Sequence, residues 1–248
     1  MSLDYRDFQY TSVQAVVFTS VVQNATSRIL AAMLENWQDL FDADPLVLPV
    51  EPVGNMGVML LKSKDGRYVV EIINNQFRFA RARIKRDDTV DLSEFVSISN
   101  RVIETFIEAA QATVNRVALL VTRVVDEDSP AIVLSRYFCN DPLLTGALRR
   151  PENFELHAHK TYELSGMGRI NSWVRCKTAI LQVPSESTPT VDMQPVIVIE
   201  QDINTLAEVA PGTELSILQI HQFYEAATIE MDSIVRLYFP GGHVDNEQ

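Results

Sequence analysis

The segment Glu155-Leu-His-Ala-His places a carboxylate and two imidazoles at alternate positions. Alternate residues of a β-strand face the same side, so Glu155, His157 and His159 could point together and form a metal site with open positions. The residues between them are nonpolar, which is also typical of the polar face of an amphipathic strand. No further ligand is signalled nearby. We therefore favour the strand interpretation, and we expect neither a metal nor a cofactor.

Two other pairs could perform acid–base chemistry. His221 and Glu225 lie one helical turn apart in the last predicted helix, and Glu200 and Asp202 share a face at a strand end. A histidine at the core edge and ordinary strand-end carboxylates explain the same residues, and we favour those interpretations.

The chain has no phosphate-binding glycine loop, nucleophile elbow or zinc-protease motif. The two cysteines, Cys139 and Cys176, sit among nonpolar or strand-like residues, which favours inert thiols over nucleophiles. We expect no catalytic residues and no enzyme activity.

One basic segment is interleaved with aromatic residues, which suits stacking on single-stranded bases. An edge strand whose charges discourage sheet association explains it equally well. So few cations on a chain of net charge −12 would bind phosphates weakly, which argues against nucleic acid as a partner. The segment comprises Phe77, Arg78, Phe79, Arg81, Arg83, Lys85 and Arg86.

An acidic surface is expected on the last predicted helix, where Glu214, Glu225, Glu230 and Asp232 lie off the nonpolar stripe. Glu230 and Asp232 occupy the last turns, where the helix dipole disfavours anions. Carboxylates at such positions suggest a basic protein partner, although solubility also explains them.

Composition excludes several classes of protein. The chain has 248 residues, of which 46% are hydrophobic and 22% charged, as in a globular protein. Residues 185–248 contain one basic residue against eleven acidic ones. The sequence has no nonpolar run long enough for a transmembrane helix, its first residues do not form a signal peptide, and it has few cysteines. We expect a cytoplasmic protein.

Hydrophobic periodicity predicts the elements. Helices are expected at 24–41, 92–115 and 213–237, with a short helix or loop at 130–150. Strands are expected at 13–22, 57–63, 67–73, 77–85, 116–126, 154–164, 169–183 and 195–203. Asp65-Gly66 and Asn74-Asn75 predict hairpin turns.

The element order repeats, as strand, helical segment, three antiparallel strands and long helix. We expect an α+β fold of two pseudo-repeated halves, each an antiparallel sheet packed on a long amphipathic helix, in a helix-grip or TATA-binding-protein-like layout. The halves would be residues 1–116 and 117–240, in one compact unit, followed by a flexible tail at 241–248.

Five segments occur in an order that resembles a sporadically distributed bacterial family of uncharacterised proteins of similar length. They are VQAVVF, QFRFARAR, RVALLVTRVV, IEQDIN and LQIHQFYEAATIEMDSIVRLYF. The resemblance implies a bacterial protein that is not secreted, and it implies no activity.

Together these observations predict a non-enzymatic bacterial adaptor that acts through protein–protein contacts and neutralises or regulates a basic partner. Two alternatives stay open. One is a ligand-binding module with a cavity between sheet and helix, lined by Trp37, Phe106 and Tyr224. The other is a single-stranded nucleic-acid binder that uses the Arg78–Arg86 hairpin.

Overall fold

The computed structural model describes residues 3–21, 27–41, 46–47, 59–85, 88–140, 144–145, 149–164, 167–184, 191–208, 210 and 212–241. The protein is α+β, as predicted, and its described strands form one antiparallel sheet. The strands are β1 (Gln9–Thr19), β2 (Leu46–Val47), β3 (Met59–Lys62), β4 (Tyr68–Ile73), β5 (Gln76–Ala82), β6 (Val114–Asp126), β7 (Glu155–Leu164), β8 (Gly168–Pro184) and β9 (Val191–Thr205). The helices are α1 (Ser27–Asn36), α2 (Gln38–Phe41), α3 (Leu92–Ala110), α4 (Pro130–Phe138) and α5 (Ile217–Tyr238), with a 3-10 turn at Tyr5–Asp7.

The nine described strands follow the order β2-β3-β4-β5-β1-β6-β9-β8-β7. Both predicted hairpin turns form. Gly66 (φ 73°) and Asn74 (φ 55°) adopt the left-handed backbone that such tight turns require. Strands β1 and β6 pair near the middle of the sheet although they are far apart in sequence. This pairing joins the first and second parts of the chain in one sheet.

Helix α3 begins where its capping residue predicts. The Asp91 side chain accepts a hydrogen bond from the Glu94 amide at 3.0 Å, which satisfies one free N–H of the first turn. The helix ends at Ala110 rather than at residue 115, because Gln111 turns left-handed (φ 51°) and Val114 already pairs with Thr19 in the sheet.

The predicted helix up to Phe41 is two helices, α1 and α2, that meet at Trp37. The Trp37 indole reaches α3, where its Nε1–H donates to Thr105 Oγ1 at 3.1 Å and the Arg101 guanidinium lies 4.8 Å from the ring centroid. These contacts tie the junction to α3.

The described helices pack against one face of the sheet. The main core joins α1, α3 and α5 to nonpolar side chains of β1, β3, β4, β5 and β6, and a second cluster joins α4 and the end of α5 to β8 and β9. The alternative of a cavity between sheet and helix finds no support at Phe106 and Tyr224, because both side chains are packed in the core. Phe106 stacks on Phe77 with centroids 4.2 Å apart, and the buried Tyr224 donates its hydroxyl to the Val16 carbonyl at 2.9 Å.

A charged contact on this packed face joins α5 to the sheet. The Arg123 side chain of β6 is 5% exposed, and its Nη2 donates to Asp232 Oδ1 of α5 at 2.6 Å. The Tyr10 hydroxyl donates to the same oxygen at 2.9 Å, and the Arg123 guanidinium lies 4.3 Å from the Tyr10 ring centroid. Asp232 therefore neutralises a buried cation and connects α5 to β1 and β6.

No helix in the described part of the chain is both long enough and nonpolar enough to cross a membrane.

Removing the Asp232 carboxylate should leave Arg123 charged and buried without its partner. We expect Asp232→Ala to lower the free energy of unfolding by about 1–3 kcal/mol in urea titrations, because it leaves a buried Arg123 donor without its partner. The Asp232 side chain itself is 39% exposed, so water screens part of the charge interaction. Glu225→Ala, an exposed carboxylate change on the same helix, serves as the control and should stay within about 0.5 kcal/mol. Equal effects of the two substitutions would contradict the buried-charge account.

Candidate functional site

The side of the sheet opposite the described helices carries polar and aromatic residues on its last three strands. The strand register aligns His157 with Arg175 and Glu200, and it aligns His159 with Trp173 and Asp202. We call this surface of β7–β9 the open face. Its residues are Glu155, His157, His159, Thr161, Asn171, Trp173, Arg175, Lys177, Val198, Glu200, Asp202 and Asn204.

Trp173 is the central aromatic residue of the open face. Its indole is 36% exposed, a large fraction for this side chain. The His159 ring stacks on it with centroids 3.9 Å apart at 20°, and the His157 ring lies 4.9 Å away at 41°. The two imidazoles thus fix the orientation of a partly exposed indole.

Glu155, His157 and His159 do share a face, as their alternation predicts. Glu155, however, accepts two hydrogen bonds from Arg175, from Nε at 2.6 Å and from Nη2 at 3.1 Å. This bonding to Arg175 lowers the pKa of the Glu155 carboxyl. Within the described ranges, no three His, Cys, Asp or Glu side chains are grouped so as to hold a metal ion.

Two basic residues continue along β8 from the indole. Arg175 Nη1 lies 3.6 Å from Glu200 Oε2, and the Lys177 ammonium donates to the other oxygen of Glu200. Each cation therefore has an acidic neighbour on the same face. These pairs are partly solvent-exposed, so each contributes little to stability.

A groove of about 770 Å³ extends the open face towards β6 and the end of β5. Its floor is nonpolar and includes Val124, Ala179 and Val198. Lys177 lines it from one side, while Arg83 and Lys85, which follow β5, line it from the other. The groove thus combines a nonpolar floor with three basic residues and three carboxylates, Asp7, Asp126 and Glu200.

A hydrogen-bonded group of side chains lies beside Trp173. Asn204 Nδ2 donates to Asp202 Oδ1 at 2.9 Å, while Asn204 Oδ1 accepts from Arg116 Nη2 at 3.0 Å. Asn171 Nδ2 approaches the same amide oxygen at 3.4 Å. Burial raises the pKa of the Asp202 carboxyl, and the Asn204 hydrogen bond and the nearby Arg116 oppose that rise. A perturbed carboxyl on an accessible surface is a frequent property of functional sites.

The basic, aromatic segment does not form the predicted stacking surface. Phe77 and Phe79 are fully buried in the core, because they face the helices. Arg81 is buried as well, donating to the Thr89 carbonyl at 2.9 Å and pairing with Asp88 at 3.4 Å.

The remaining cations of that segment are divided between two places. Arg78 pairs with Glu71 on the neighbouring strand, whereas Arg83 and Lys85 reach the groove. Arg86 lies outside the described residues. The residues of this hairpin therefore do not form one exposed surface, and the alternative of a nucleic-acid patch on it is wrong.

The predicted acidic face is also not a single surface. Asp232, although partly exposed, accepts a hydrogen bond from the buried Arg123, and Glu230 accepts one from the Tyr162 hydroxyl at 2.9 Å. Glu225 is exposed on α5, and Glu214 is exposed but precedes the helix, which begins at Ile217. Tertiary contacts account for the two carboxylates that the helix dipole disfavours.

The other candidate groups are separated from the open face. His221 Nε2 lies 3.1 Å from Glu104 Oε1 on α3, an ion-pair distance without hydrogen-bond geometry. Cys139 is half-buried and Cys176 is buried, and both are free thiols. Burial raises the pKa of Cys176 to about 12.

Sequence reasoning placed Glu200 and Asp202 on one face of a strand, where the register also has them, but it missed Trp173 and the hydrogen bonds that surround Asp202. The signal was present in the alternation of Asn171, Trp173, Arg175 and Lys177, four large polar or aromatic residues on one side of a predicted strand. A strand with both faces buried would not carry that pattern.

No family model and no curated protein matches the chain. Among solved structures, it is similar to a rolling circle replication initiator protein from Geobacillus stearothermophilus, with a TM-score of 0.31 and 10% identity over 96% of this chain and 88% of that one. The comparisons thus give no support to the expectations of a non-enzymatic adaptor and of a chain without enzyme activity, and neither expectation is kept. A TM-score this low establishes neither a shared fold nor a shared activity.

The two thiols should differ in reactivity. Because the thiolate is the reactive form, a raised pKa and burial should make Cys176 inert towards a thiol reagent at pH 8 in the native protein. We expect native wild type to react rapidly with one equivalent of the thiol reagent. Cys139→Ser should react with almost none until the chain is unfolded. Rapid labelling of native Cys139→Ser would show that Cys176 is accessible.

Proposed function

We propose that the protein binds single-stranded nucleic acid across its open face. The observation that carries this proposal is the Trp173 indole, partly exposed on the open face and held there by the rings of His157 and His159. Exposed aromatic residues on sheet surfaces are common platforms for unpaired bases.

Stacking would make the surface selective for unpaired bases. One base on an aromatic side chain contributes about 1–3 kcal/mol, and any base can stack because each has a ring face. Bases in a duplex are already stacked on one another, so their ring faces are not available to Trp173. This difference favours a single strand over a double helix.

The basic residues provide a path for phosphates. Arg175 and Lys177 lie on the same strand as Trp173, and Arg83 and Lys85 lie across the groove. Arg175 pairs with Glu155, and Lys177 pairs with Glu200. Because these ion pairs are partly exposed, little free energy would be lost if a phosphate replaced the carboxylate in either pair.

The expectation against nucleic acid rested on the net charge of −12, which is a property of the whole chain. On the open face, cations and carboxylates are mixed rather than uniformly acidic. With few phosphates neutralised, binding should depend less steeply on salt than it does for proteins that coat a duplex.

We also infer that the chain consists of two pseudo-repeated halves. The strand order supports this, because β3-β4-β5-β1 on one side of the sheet centre mirrors β7-β8-β9-β6 on the other. The positions of α3 and α5, each after the last strand of its half, agree with it. The free thiols suit a reducing compartment such as the cytoplasm.

Fluorescence anisotropy with a labelled single strand of about 16 nucleotides tests the function, since that length is at the upper end of known site sizes. We expect Trp173→Ala to weaken binding by roughly 5- to 150-fold, which corresponds to the loss of one stacked base. Trp37→Phe, at the junction of α1 and α2, is the control and should bind as wild type does. Unchanged affinity in Trp173→Ala, or equal affinity for the duplex, would contradict the proposal.

A further inference from the structure

We propose that Asp202 reads the edge of the base that stacks on Trp173 and that it selects guanine. This inference rests on the proposed function, because it assigns a specificity to the same surface. The observations behind it are the position of Asp202, the hydrogen bonds that orient it and the chemistry of an ionised carboxylate.

Asp202 lies directly beside the indole. It is the cross-strand partner of Trp173, and its other neighbour, across β6, is Leu120. Residues opposite each other on antiparallel strands have Cβ atoms about 4.5–5.5 Å apart. A base on the exposed surface of the indole would therefore extend one of its edges over the carboxyl group.

Two successive hydrogen bonds, from Arg116 to Asn204 and from Asn204 to Asp202, determine that Asp202 acts as an acceptor. Guanidinium groups can only donate, so the oxygen of Asn204 must face Arg116 and its NH₂ group must face Asp202. Arg116 is itself anchored, because its Nε donates to the Thr205 carbonyl at 3.1 Å and its guanidinium lies 4.5 Å from the Phe18 ring centroid. Asp202 is therefore held as a hydrogen-bond acceptor.

The carboxyl has capacity left for a ligand. In the described part of the chain, Asn204 is the residue that donates a side-chain hydrogen bond to it, whereas a carboxylate offers about four acceptor positions. The group is partly buried, and a partly desolvated acceptor gains from each donor that it meets. A ligand that presents two adjacent donors would satisfy it best.

Among the four bases, guanine alone presents two adjacent donors on its Watson–Crick edge, the N1–H and the N2 amino group. Both can donate to one carboxylate, as in the bidentate pairing of guanidinium with carboxylate. Adenine and cytosine offer one donor beside one acceptor, and thymine offers one donor between two acceptors. For those bases a lone pair would face the carboxylate oxygen, which is unfavourable.

The test uses four thymine-rich single strands that differ at one central position, which holds guanine, adenine, cytosine or thymine. Wild type should bind the guanine strand about tenfold more tightly than the others, a typical discrimination for a bidentate contact. Asp202→Asn keeps the shape but offers one acceptor and one donor, so it should lose the preference for guanine and favour adenine or cytosine. Glu225→Gln, the same chemical change on exposed α5, should keep the wild-type order.

The outcomes separate this inference from the proposed function. Equal wild-type affinities for the four strands, or a preference for guanine that persists in folded Asp202→Asn, would overturn the role of Asp202 while binding that depends on Trp173 would stand. Failure to bind any strand would overturn both. The wild-type comparison requires no variant, so equal affinities would overturn the inference even if Asp202→Asn does not fold.

Discussion

The packing of the described helices on one face of the sheet is the constraint on which the rest of the structure depends. Val13, Ala15 and Val17 of β1 face those helices, and so do the nonpolar positions of the neighbouring strands. The strand alternation then sends the intervening residues to the other side. Trp173 and Asp202 lie on that side because the adjacent residues Val174 and Ile203 are buried on this one.

The pair of Arg123 and Asp232 sets how α5 lies on that packed face. Arg123 is buried and Asp232 is partly exposed, so the pair contributes less to stability than to position, because it joins one residue of α5 to one residue of β6. The same helix contributes Glu230 to Tyr162 of β7, which connects the sheet centre to the strand that carries His157 and His159. The helix-facing contacts therefore support the geometry of the open face.

Strand β7, at the end of the described sheet, also has to avoid pairing with other chains. Glu155, Lys160 and Glu163 are charged and exposed along it, which discourages edge-to-edge association. Glu155 and Arg175, which pair on the open face, also place charged groups beside the exposed indole, and this discourages association through that surface. Mixed charge around Trp173 thus discourages self-association of the surface that we propose to bind a base.

Local features of the fold could be predicted from the sequence, and contacts between distant segments could not. Asp91 marks the start of α3, Asn74 marks a turn, and the alternation around His157 predicts an exposed strand face. The pairing of Arg123 with Asp232 joins residues 109 positions apart, and no local pattern indicates it.

The same limit explains the errors about function. Phe77 and Phe79 look like a stacking surface until the sheet order shows which of their faces meets the helices. Asp232 looks like part of an acidic surface until the position of β6 is known. Residues of the open face come from three strands, so their grouping depends on a register that the sequence alone does not give.

The two indole N–H signals in a ¹⁵N–¹H spectrum offer the most direct test of the central claim, because the chain contains two tryptophans on opposite sides of the sheet. On addition of a single-stranded oligonucleotide, the Trp173 signal should shift or broaden with saturation, while the Trp37 signal, from the junction of α1 and α2, should stay in place. An unchanged Trp173 signal at a concentration that saturates binding would show that the nucleic acid, if bound, lies elsewhere, and it would contradict the open face as the binding surface.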